Sequence, residues 1–207
     1  MHIAKSTQYE VPAHVMKRTT LRSDRVKMNS FKIDHSTGLV MDVSIVAKGW
    51  YEMLVRPKDT VMRAAMAAFQ IASIMIERDT EVSVRLSTDE EVRVLNRIHR
   101  NKDQPTNVLA FPAFDSDDLD RLPAGVPVCL GDIIIAFETT TVEAEVEAKN
   151  LKDHLSHLVV HGMLHLLGYD HETETKATIM EGLEVDALKQ LGIGNPYSRD
   201  KEWANWS

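Results

Sequence analysis

The chain has 207 residues, 43% of them hydrophobic, a formal net charge of −7 and a single cysteine. This suits one domain of about 150 residues with extensions and leaves enough apolar side chains for a proper core. It argues against a membrane span, because no apolar run approaches the ~20 residues a bilayer requires, and against a secreted disulfide scaffold, because one cysteine has no internal partner. The N-terminus has no secretory h-region. A cytoplasmic location is therefore expected, with an organellar matrix as the second choice. Cys129 lies in an apolar run and reads as a small buried hydrophobe.

Residues 1–39 hold seven Lys/Arg and three Asp/Glu, whereas the rest of the chain holds 17 and 28. They show no helical or strand period and read as a basic, flexible extension. Met41–Val46 alternates apolar and polar residues, as a half-buried strand does. Lys58–Glu77, rich in Ala and Met, reads as a helix with Asp59 or Thr60 as N-cap. Glu81–Leu86 alternates again. Thr88 with Glu91 forms a capping box that starts a helix over 88–99. Asn107–Phe111 is a short strand, 115–127 an acidic loop and Val128–Phe137 a buried strand. A helical stretch over 139–167 breaks near Asn150. The last helix covers 173–191 and is stopped by Gly192, Gly194 and Pro196. A tail over 196–207 carries Trp203 and Trp206, free to dock on a partner or to pack on the chain's own core. Strands alternate with helices, and no glycine-rich nucleotide loop interrupts them. The expectation is an α/β or α+β domain over 40–195, with a mixed sheet of about four strands packed with helices.

Five of the nine histidines fall between 154 and 171. His161 and His165, four apart on a helix, share one face. Gly168 can take φ > 0, which ends the helix and reverses the chain toward His171. Three imidazoles occupy three corners of a tetrahedron and leave the fourth open, as in a catalytic zinc site. Zinc is the default ion for such a set, although the ligand types also suit nickel or iron. The helix is apolar nearly all round and therefore buried, with the metal site at its end. His154 and His157 lie one to two turns upstream of the ligands; packing or hydrogen bonding suits them, and His157 is a candidate partner behind the ligands. Asp170 either orients a ligand imidazole or caps the following helix. Glu181 and Glu184 could stand behind the ligands, but a solvated surface position suits each better. Arg93, Arg97 and Arg100 form a basic helix face running into Lys102, which solvent and ion pairs with Asp89, Glu90 or Asp103 could equally explain.

HGMLHLLGYDH is similar to the metzincin signature but has Gly162 where those peptidases carry their general-base glutamate. The full string resembles that of the YbeY family of metal-dependent endoribonucleases. Two more blocks carry the resemblance, in the family's order. Leu95–Pro112 (LNRIHRNKDQPTNVLAFP) is similar to LN-x-x-x-R-x-K-D-x-P-T-[DN]-V-L-S-F-P, with Ala110 where serine is commoner. Leu130-Gly131-Asp132-Ile133 matches the family's LGDI. The likeness covers about residues 40–192. It implies a zincin-like α+β metal-hydrolase fold with one Zn²⁺ on His161, His165 and His171. It also implies single-strand-specific RNA cleavage, with Arg100 on the scissile phosphate and Arg97 and Lys102 on flanking phosphates. The implied task is maturation of the 16S rRNA 3′ end and ribosome quality control, with the small ribosomal subunit or its assembly factors as partners. Two rival readings are a metzincin-like zinc peptidase and a non-catalytic ribosome-assembly factor stapled by structural zinc.

Overall fold

The computed structural model describes residues 31–32, 38–72, 79–113 and 127–198. The four expected strands form as β2 (Leu39–Ile45), β3 (Thr80–Ser87), β4 (Val108–Pro112) and β5 (Val128–Ala136), and a two-residue β1 (Phe31–Lys32) is added at one edge. The sheet order is β1-β2-β3-β5-β4. The central β2–β3 and β3–β5 pairs are parallel, and the outer β1–β2 and β4–β5 pairs are antiparallel. The basic extension expected over 1–39 falls mostly outside the described residues. The expected acidic loop, apart from its end, and Trp203 and Trp206 also lie outside them.

One face of the sheet carries the main core. Val82, Val84 and Leu86 of β3 and Ile133 and Ile135 of β5 share that core with helices α2 (Pro57–Ile71) and α5 (Leu151–Leu166), and α6 (Glu174–Gln190) packs on those two helices. Among the described residues the opposite face is covered near β4, where Val92 of α3 (Asp89–Arg100) packs with Leu109 and Ala136. That uneven cover corrects the reading of Cys129, which is exposed. Its strand neighbour on β3 is the exposed Glu81, at the end of this face away from α3.

Local chemistry accounts for the element boundaries. Pro57 stands at the first turn of α2, where its missing N–H costs nothing. Thr60, expected as a cap, is instead buried inside that turn and donates to the Arg56 carbonyl at 3.2 Å. Thr88 caps α3 as expected, accepting from the Glu91 N–H at 3.4 Å. The reciprocal half of the box is absent, because the Glu91 carboxylate takes Arg85 (3.0 Å) and Ser87 instead. The break near Asn150 separates α4 (Phe137–Val146) from α5. Asn150 caps α5 by accepting from the Lys152 N–H at 2.9 Å, a contact worth about 1 kcal/mol. A five-residue helix α1 (Gly49–Met53) had no sequence signal. It exists because Trp50 is fully buried and stands edge-on to Phe137 at 5.1 Å.

Candidate metal centre and its pocket

The last turns of α5 place His161 and His165 one above the other, both half-buried, among fully buried Val160, Met163 and Leu164. The helix closes on a C-terminal turn in which the Gly168 N–H bonds His165 O and the Tyr169 N–H bonds Leu164 O, each at 3.0 Å. Gly168 has φ +90°, a conformation a side chain would oppose. The Tyr169 hydroxyl fastens this turn to the end of α2, donating to the Ala72 carbonyl at 2.9 Å. The reversal brings His171 over the helix end. One ligand atom from each of His161, His165 and His171 then lies within 4.8 Å of the others.

The hydrogen bonds behind these rings set their tautomers. His161 Nδ1 meets Glu184 Oε1 at 2.8 Å, and His165 Nδ1 meets the Tyr169 carbonyl at 3.0 Å. Both partners only accept, so each ring carries hydrogen on Nδ1 and turns a bare Nε2 inward. Burial, helped by His161 and His171 nearby, holds the His165 pKa down to about 4, so that ring is neutral near pH 7. The two Nε2 atoms are 3.1 Å apart. Two lone pairs facing each other at that distance repel unless a cation lies against both. The donor set therefore fits a metal ion of the kind imidazole prefers.

Glu184 departs from the expected surface position: it is 1% exposed. Its Oε2 accepts from His157 Nε2 at 2.7 Å and from the Tyr197 hydroxyl. Burial alone would raise its pKa, but the bonds from His157, His161 and Tyr197 outweigh that and hold it near about 2. Burial, and then the Glu184 carboxylate, raise the Tyr197 phenol well above its ordinary value, so it stays a donor. Glu181 is exposed, as expected. His157 thus stands behind Glu184 rather than behind a ligand directly. His154 is buried and turned to Glu143 at 2.9 Å. Asp170 takes neither expected role: Thr173 caps the following helix by accepting from the Lys176 N–H at 3.3 Å, whereas Asp170 accepts from the Glu172 N–H at 3.1 Å, pairs with Lys176 at 2.7 Å and bonds no imidazole.

The histidines form one wall of a pocket of about 410 Å³, together with Gly162, Asp170 and Glu172. The facing wall is Arg100, Thr106, Asn107, Val108 and Ala110. Asn107 holds that wall in place: its amide donates to the Glu143 carboxylate at 3.0 and 3.2 Å, and its Oδ1 accepts from the Val108 N–H at 2.7 Å. Arg93 is engaged by Asp103 at 2.8 and 2.9 Å. Arg100 makes no ion pair among the described residues and faces the histidines across the pocket. Arg97 and Lys102 are exposed and do not line it. Sequence reasoning missed Tyr197 and Glu143 and misplaced Glu184. The signal for Glu184 was its position between Met180 and Ala187/Leu188, inside the apolar stripe of α6.

Residues 53–192 match the family model described as endoribonuclease YbeY. Among curated relatives, a Paramagnetospirillum magneticum protein is 45% identical over 75% of this chain and 93% of its own. One from Rhodopseudomonas palustris is 45% identical over 76% and 89%. Both are named endoribonuclease YbeY. A solution structure from Thermotoga maritima aligns with 80% of this chain and 99% of its own, at 22% identity and a TM-score of 0.45.

Proposed function

The chain belongs to the YbeY family, and from that premise we propose that it is a metal-dependent endoribonuclease that cleaves single-stranded RNA in the pocket between His161, His165, His171 and Arg100. The observation that carries this reading is the pairing of bare imidazole nitrogens with an unpaired guanidinium across one cleft. A cation held by the three histidines would supply Lewis-acid chemistry and lower the pKa of a coordinated water toward ~7. Arg100 binds the scissile phosphate, because a planar guanidinium matches two phosphate oxygens and offsets the charge that grows as the phosphorus becomes five-coordinate. Glu184 and the Tyr169 carbonyl keep His161 and His165 in the tautomer that leaves Nε2 free. Arg97 and Lys102, outside the pocket on the same end of α3, serve phosphates on either side of the cleaved bond. The pocket suits one strand whose bases can splay, not a stiff duplex. Family resemblance extends the proposal to a zincin-like site architecture, zinc as the ion, and maturation of the 16S rRNA 3′ end with ribosome quality control in the cytoplasm. The small subunit or its assembly factors are the proposed partners.

Cleavage of an end-labelled single-stranded RNA tests the reading. Internal cuts are expected with the zinc-loaded protein and are lost when a chelator strips the metal. The same sequence annealed into a duplex resists. Full cleavage by the stripped protein overturns the metal role.

The peptidase alternative meets a steric obstacle. A Cβ at Gly162, although this residue lines the pocket, would lie 3.0 Å from Ile133 Cγ2, so a side chain there has to push the buried Ile133 aside. Gly162→Glu is therefore expected to lower stability by roughly 1–3 kcal/mol, the cost of overpacking, and to confer no casein hydrolysis. A folded Gly162→Glu variant that digests casein in a zinc-dependent way would revive the peptidase reading.

A further inference from the structure

We infer that Tyr197 is a positioning residue for the metal centre, acting through Glu184, and that the turn carrying it is a built part of the site. This rests on the metal reading above. Residue 197 lies beyond the family match, which ends at 192, and a tail had been expected from 196 onward.

The chain after α6 is directed back toward the site. Gly192 takes φ +73°, and the Ile193 N–H returns to Leu188 O at 3.0 Å. Ile193 packs on the main core. Asn195 then folds a tight turn: its Oδ1 accepts from the Tyr197 N–H at 2.9 Å, and its carbonyl accepts from the Ser198 hydroxyl at 2.9 Å. The Tyr197 ring stands edge-on to His157, with centroids 5.7 Å apart. Its hydroxyl donates to Glu184 Oε2. The residue is 43% exposed, so its ring adds little to the core. The buried end is the hydroxyl, and the hydroxyl meets the carboxylate.

The geometry divides the labour between the two carboxylate oxygens. Oε1 takes His161 Nδ1, whereas Oε2 takes two donors, His157 and Tyr197. A carboxylate can rotate about its Cγ–Cδ bond. Two donors converging on Oε2 fix that rotation and aim Oε1 at His161. At 1% exposure, Glu184 has no solvent to replace a lost donor. Removing one donor therefore loosens the imidazole that holds the ion, without touching ion or RNA.

The test uses the full chain with zinc, with cobalt as a spectroscopic substitute, and compares wild type with Tyr197→Phe, which keeps the ring and deletes the hydroxyl. Zinc affinity, measured by chelator competition, is expected to fall about tenfold, the lower end of what partners behind metal ligands contribute. The visible cobalt bands shift, and kcat falls while KM for the RNA holds. An affinity and cobalt spectrum equal to wild type overturn the inference, even if the melting temperature drops, because the hydroxyl is then only structural. His157→Leu removes the other Oε2 donor and decides the matter if Tyr197→Phe does not fold: unchanged affinity there also overturns it. If the wild type itself takes up neither zinc nor cobalt, the metal reading fails first; wild-type binding that ignores both substitutions sinks this inference alone.

Discussion

Replacing His165 with alanine is expected to strip the protein of metal and to lower RNA cleavage by roughly a thousandfold or more, the scale on which site electrostatics act. In the proposed site His165 is the central member of the histidine trio. Its Nδ1 is tied to the Tyr169 carbonyl and its Nε2 sits 3.1 Å from that of His161. Without it, His161 and the exposed His171 remain, and two imidazoles cannot define a tetrahedral site with a single open corner. The fold should survive, because a truncated side chain at the pocket rim leaves the core contacts of Met163 and Leu164 intact. Elemental analysis paired with cleavage of labelled RNA checks the result. Metal lost while cleavage persists would refute the site.

Arg100→Ala has a different signature: cleavage falls by about 10² to 10³, as when one charge-stabilising donor is deleted, while metal content stays at the wild-type level. Arg100 lines the same pocket from α3 and makes no hydrogen bond to the histidines among the described residues, so its loss should leave the histidine cluster in place. Arg100→Lys should recover little, because a single ammonium cannot span two phosphate oxygens. A variant that keeps both its zinc and its full rate removes the phosphate clamp and favours the reading in which zinc only staples the fold.

The gathering of His161, His165 and His171 was legible in the sequence because helical spacing and one glycine bring the three rings close. Their final orientation was not, because it also rests on Glu184 of α6 and on the Tyr169 bond to the end of α2. Arg100 was legible only through the resemblance, since Arg93, Arg97 and Arg100 look alike on a helix face until Asp103 engages the first of them. Glu184 was misread because α6 carries several acidic residues, and its place one turn from Met180, Ala187 and Leu188, the signal that separates it from the exposed Glu181, was not weighed. Tyr197 is half exposed and sits past the last helix, where composition shows only turn residues. On the fold side, Asn150 announced the α4–α5 break. By contrast, Cys129 was misplaced because an apolar run does not reveal that one sheet face lacks a covering helix at that end.

The pocket's two walls are assembled from very unequal stretches of chain. The imidazoles lie between positions 161 and 171, whereas the guanidinium comes from position 100, at the end of α3, which packs on β5 and β4. On the proposed reading, weak capture of an ion by the local trio alone asks less of the fold than cleavage does, because full affinity needs Glu184 of α6 and cleavage needs Arg100 as well. An unfolded chain that captures the ion weakly competes with the folded protein for metal, and ligand in excess then stabilises the native state by less than its native affinity alone would give. Added zinc should consequently raise the unfolding temperature less steeply than the dissociation constant implies, and nuclease activity should emerge late in refolding, after the metal is already held.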